Sequence, residues 1–92
     1  MTLSAERIEN VVAIANRGFA AGHAVNVVVQ AVKAAHPGLS VTGIFASIMA
    51  EDPYREEERF DLFLVDGSSH CWTITGAPEA ATGIVIAERD GE

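Results

Sequence analysis

Cysteine occurs once in the 92 residues, at Cys71, so no disulfide can form within the chain. That excludes a disulfide-stapled secreted scaffold and fits a reducing compartment. Basic residues are scarce: six Lys+Arg stand against thirteen Asp+Glu, a net charge of −7 with His neutral. Nucleic-acid binding runs on a basic footprint that releases counterions, and this chain has none. An anionic membrane surface is disfavoured for the same reason. No apolar run approaches the ~20 residues that a membrane span needs, because Asn26, Gln30 and Lys33 interrupt the longest ones. The stretch Met1-Thr2-Leu3-Ser4-Ala5-Glu6-Arg7 lacks a basic region followed by an apolar run, so no secretory signal is expected. Phosphate-cradling loops of the G-x-G-x-x-G and P-loop types, the G-x-S-x-G elbow, and C-x-x-C, H-x-x-x-H or H-x-x-E-H ligand pairs are all missing. These absences set the expectation of a soluble cytoplasmic protein with no nucleic acid, no membrane, no cofactor and no resident metal.

What is present fits one small domain. A chain of 92 residues leaves no room for an interdomain cleft or for a (β/α)₈ barrel of about 250 residues. A composition of 49% hydrophobic and 21% charged residues belongs to a folded globular chain. The apolar content is small in size, with 15 Ala and 10 Val against 4 Leu and 4 Phe. Such a core packs closely but buries little area per residue.

The patterning predicts an α+β fold, with two N-terminal helices (about 4–17 and 21–35) packed on a four-stranded, mainly antiparallel sheet (about 41–49, 60–66, 70–75 and 83–88). Ser4 is a candidate N-cap, with Leu3 and Ile8 at the spacing of a hydrophobic staple. Ile8, Val11, Val12 and Ala15 line one helical face, and Gly18 suits the helix end. In the second segment Val25, Val28, Val29 and Val32 share a face. The polar stripe His23, Asn26, Gln30 and Lys33 decides for helix against the strand preference of the Val run. His36-Pro37-Gly38 ends it. Both helices are expected on one side of the sheet.

The turn signal Asp66-Gly67-Ser68-Ser69 joins the second and third strands into a hairpin with a two-residue loop. Its parity puts Asp61, Phe63 and Val65 on one face with His70, Trp72 and Ile74. Leu62 and Leu64 share the other with Cys71 and Thr73. Both faces are then apolar and need two covers, which points to a homodimer through the sheet or through the second helix. Between the first two strands lies an acidic loop. Glu51 to Asp61 carries six acids and two arginines, −4 of the −7, and reads first as a solvated face. Pro78 opens one short helical turn before the last strand.

Chemistry concentrates in Asp66, His70, Cys71 and Trp72. An imidazole-activated thiolate is one reading. Adjacent residues on a strand point to opposite faces, so His70 cannot activate Cys71, and a buried Cys acting as a small hydrophobe is the plainer reading. Glu51, Asp52 and Asp66 offer oxygen ligands to a hard cation, without the spacing of a calcium loop. Trp72 reads as a core or interface anchor.

The run Phe60-Asp61-Leu62-Phe63-Leu64-Val65-Asp66, the pair His70-Cys71 and the ending Ala81-Thr82-Gly83-Ile84-Val85-Ile86-Ala87-Glu88 resemble a small proteobacterial family of unknown function. A weaker echo lies in His36-Pro37-Gly38-Leu39. The family's link to nitrogen-fixation gene neighbourhoods implies an accessory role. It confers no catalytic residues. Where the family carries a further Cys and an acidic triplet, this chain has Met49-Ala50-Glu51-Asp52, leaving no second thiol.

Two functions follow. The first is a non-catalytic accessory or protein-interaction module, homodimeric, with the acidic loop steering basic partners. The alternative is a small-molecule or metal-binding protein, thiol-based in one form, with its site near residues 66–72. An enzyme assembled across a dimer is a third, disfavoured by length.

Overall fold

The computed structural model describes residues 3–45, 52–67 and 73–89. Two helices, α1 (Ala5–Ala20) and α2 (Val25–Ala35), precede five strands: β1 (Ser40–Phe45), β2 (Arg55–Glu56), β3 (Phe60–Asp66), β4 (Thr73–Thr75) and β5 (Gly83–Glu88). A short 3-10 turn at Pro78–Ala80 leads into β5, with Pro78 opening it as expected.

The Arg7 N–H donates to Ser4 Oγ at 3.1 Å, so Ser4 is the cap of α1. Leu3 and Ile8 are both buried in one core cluster, and Val11, Val12 and Ala15 join them. The helix runs past its expected end. Gly18 lies inside it because α2 crosses there: a Cβ at Gly18 would sit 2.8 Å from Val28 Cγ2. The terminator is Gly22, at φ 88°, with the His23 N–H donating back to the Gly18 carbonyl. Residues 21–24 form this turn, so α2 starts later than expected. His23 leaves the polar stripe, while Asn26, Gln30 and Lys33 stay exposed on the helix. Val28, Val29 and Val32 are buried as the helical reading requires.

Three of the four strand pairings are antiparallel, and the order is β1-β5-β3-β2 with β4 also on β3. The last strand inserts between the first and third. It runs parallel to β1 (Ser40 opposite Gly83) and antiparallel to β3 (Phe60 opposite Glu88). The outer edge of β3 is divided: β2 takes Asp61 and Leu62, and β4 takes Leu64 to Asp66. A strand therefore stands inside the expected acidic loop.

The β3–β4 register pairs Val65 with Ile74 and Asp66 with Thr73. The parity of the faces is as expected, but the two-residue turn is not. The register leaves residues 67–72 between the strands, of which 68–72 lie outside the described residues. Thr82 fixes this end of the sheet: its Oγ1 accepts from the Gly67 N–H at 2.8 Å, and its own N–H donates to the Val65 carbonyl at 2.8 Å. Residues 46–49 of the expected first strand are also outside the description.

Both helices cover one face of the sheet, where Phe60, Leu62, Leu64, Ile84 and Ile86 join Val11, Val28 and Val32 in one cluster. On the other face Phe63, Val65, Val85 and Ala87 form a second cluster with Ile44 and Ile74 against it. These four are 0–8% exposed within the single chain, so that face does not need a partner to leave water. The face-burial argument for a dimer falls away.

His36, at the C-terminal end of α2, is tied to α1: Nε2 lies 2.8 Å from Asn10 Oδ1. Burial first, and the charge of Arg7 second, lower its pKa from the ordinary 6.5. The unfolded chain thus takes the proton more readily. Stability is full above about pH 6.5 and declines as pH falls through the lower folded value. Urea midpoints measured from pH 7.5 to 5.5 should fall more for the wild type than for His36→Gln; parallel profiles would contradict this.

A second prediction concerns Gly43, where a Cβ would meet Val25 Cγ2 and Val29 Cγ2, both at 2.9 Å. Overpacking costs about 1–3 kcal/mol, offset by up to ~1 kcal/mol of lost unfolded-chain entropy. Gly43→Ala should therefore lose about 1 kcal/mol in chemical denaturation. Gly76→Ala, with nothing within 4 Å, should be neutral or slightly stabilising.

Candidate interaction surface

Asp66 closes β3, half-buried and opposite Thr73. His70, Cys71 and Trp72 lie outside the described residues, as does Glu51. Among the described residues no group of three or more His, Cys, Asp or Glu could hold a metal. No described polar or charged residue is buried, and the core is wholly apolar.

One open cleft of about 390 Å³ lies where the α1–α2 turn, the β2–β3 turn and the end of β5 meet. Its floor is Phe19, whose ring stacks on Phe60 with centroids 5.5 Å apart. Its rim is His23, Glu58, Arg59, Glu88 and Arg89. The charges oppose one another in pairs, and Arg89 is already engaged by Asp61 at 2.6 Å and Glu56 at 3.9 Å. Small-molecule pockets are mainly apolar with a few convergent polar groups. This rim offers one apolar wall and no convergence.

The acidic segment is not a loose solvated loop. The Glu57 N–H donates to the Phe60 carbonyl at 2.9 Å, which closes β2 and β3 around Glu58-Arg59. Arg55 bridges Glu9 of α1 and Glu57, the latter at 2.9 Å, and Asn16 Nδ2 donates to Glu57 Oε1 at 3.1 Å. Pairs this open to water contribute about 0–1 kcal/mol each. Glu56 and Glu58 remain exposed on it.

The opposite side of the molecule differs in kind. No Asp or Glu occurs from Asn10 through Ala50; all thirteen acids lie before or after that span. The span supplies α2 and β1, with Arg17 and Lys33 as its only Lys or Arg. α2 lies directly over β1, close enough that Gly43 has no room for a Cβ between itself and Val25 or Val29. Two of the large apolar side chains most open to water are here, Val27 at 45% and Phe45 at 55% exposed. The signal for this surface in the sequence is the absence of acids from Asn10 through Ala50.

Charge reversal on the hairpin tests its structural role. Arg55→Glu should cost at least the two exposed pairs, roughly 1–2 kcal/mol with the added repulsion at Glu9 and Glu57, read as a lower urea midpoint. An unchanged midpoint would show that these pairs do not hold the hairpin.

No family model, no curated protein and no solved structure matches this chain.

Proposed function

We propose that this chain is a small, acidic, non-catalytic interaction module that acts as a homodimer in an accessory role. The observation that carries the reading is its sidedness. Neither α2 nor β1 carries an acid, and they expose Val27 and Phe45; Glu88 of β5 is registered opposite Phe45. Two bodies of net charge −7 repel each other less through elements without acids of their own than through the acidic hairpin. Depletion of charge with retained apolar side chains is the composition of an interface core. Among the described residues no helix is long and apolar enough to cross a membrane.

The exposed carboxylates of Glu56 and Glu58 give the assembly a second, acidic end. It favours a protein partner with a basic surface, mainly through the rate of encounter. A cytoplasmic location fits the lone cysteine.

Native mass spectrometry against the denatured mass tests the reading. A dimer of twice the chain mass, with nothing added, is the expected result. A monomer throughout a dilution series would remove the homodimer. Extra mass lost on denaturation would overturn the ligand-free reading in favour of a site near Asp66, His70, Cys71 and Trp72.

A further inference from the structure

We propose that β1 is the seam of that dimer: the outer edge of Ser40–Phe45 pairs antiparallel with the same strand of a second copy, across a two-fold axis. Two sheets then become one continuous sheet. This rests on the homodimeric reading above and adds to it the surface and the mode of pairing.

The two edges of the sheet are treated differently. An open edge is a row of unpaired N–H and C=O groups, and soluble proteins blunt it with short strands, charges or proline. At the β2 end all three devices are present. β2 is two residues long, both are charged (Arg55 and Glu56), and Pro53 lies just before it. Within β1 itself none is, and the nearest proline, Pro37, lies three residues before it. The strand has six residues, Ser40-Val41-Thr42-Gly43-Ile44-Phe45, with no charge and no proline. Among the described residues β1 pairs only with β5, and no described strand lies on its other edge.

A second copy is the occupant that the charges favour. In antiparallel self-pairing each residue of β1 faces another residue of β1, and every such pair is uncharged, so no like charges meet at the seam. A two-fold axis also closes both open edges in one step, where head-to-tail pairing would leave edges free to extend.

The strand edge alone is small against the roughly 800 Å² per partner of a stable interface. α2 supplies the second layer. Val28 points to α1 at Gly18, while Val25 and Val29 lie on β1. Asn26 and Gln30, two residues to either side of Val28, lie about 160° around the helix from it. The stripe Asn26, Gln30 and Lys33 therefore faces away from α1, out over the β1 edge. Across the axis it meets its own copy, amide to amide, with Lys33 as the one charged member.

The test is sedimentation velocity over a dilution series of the full chain, with hydrogen exchange read on residues 40–45. Thr42 is exposed in mid-strand. Thr42→Glu adds a like charge on each copy at the seam and should weaken association by tenfold or more, with the circular dichroism spectrum unchanged. Phe45→Lys, at the open end of the strand, should weaken it as well. Glu56→Lys, on the far hairpin, should leave the dimer as tight or tighter. Alternate amides of β1 should gain protection with concentration. If the wild type stays monomeric at every concentration, the homodimer and the seam both fail. If it dimerises while both β1 variants still dimerise fully and the β1 amides gain no protection, only the seam fails. Should Thr42→Glu unfold, Phe45→Lys and the exchange data decide.

Discussion

The structure depends on one strand being apolar on both sides. β5 has five of its six residues buried, and its side chains alternate between two cores. Ile84 and Ile86 enter the cluster under the helices, and Val85 and Ala87 enter the one behind the sheet. Only a strand with neighbours on both edges and cover on both faces can be so apolar. β5 obtains its neighbours from far away in the chain, β1 on one edge and β3 on the other. The helices follow from this, since they must cover Ile84 and Ile86. The acidic hairpin follows as well, because Arg89, just beyond β5, reaches Asp61 and Glu56 from that end.

Insertion of the last strand has a consequence for the surface. It displaces β1 to the outside of the sheet, although β1 is the first strand made. The acid-rich hairpin is carried to the other outside edge, three strands away. The acid-rich hairpin and the uncharged strand β1 thus stand at opposite edges of the sheet. Among the described residues the core holds no polar group, and no cluster of His, Cys, Asp or Glu could hold a metal.

Much of the local structure was legible from the residues. Ser4 as cap, Leu3 and Ile8 as a staple, the Val face of α2 and the parity of Phe63, Val65 and Ile74 all follow from spacing. What was not legible turns on distant contacts. Gly18 and Gly22 are equivalent as helix terminators in the sequence, and the crossing of Val28 over Gly18 decides between them. The acidic segment reads as solvent-facing until Glu9 and Asn16 on α1 reach Arg55 and Glu57. Of the candidate residues, Asp66 is placed at the end of β3, and His70, Cys71 and Trp72 lie outside the described residues.

The sequence by itself determined both helices, four of the five strands, their inward faces and the two-sided apolar character of β3 and β5. Those properties are set by neighbours three, four or two positions apart along the chain. Only the tertiary structure decided that β5 runs parallel to β1, that the second sheet face is buried within one chain, and that β1 ends the strand order. Strand order and direction depend on which distant segments meet, and alternation of side chains is the same in a parallel as in an antiparallel pair.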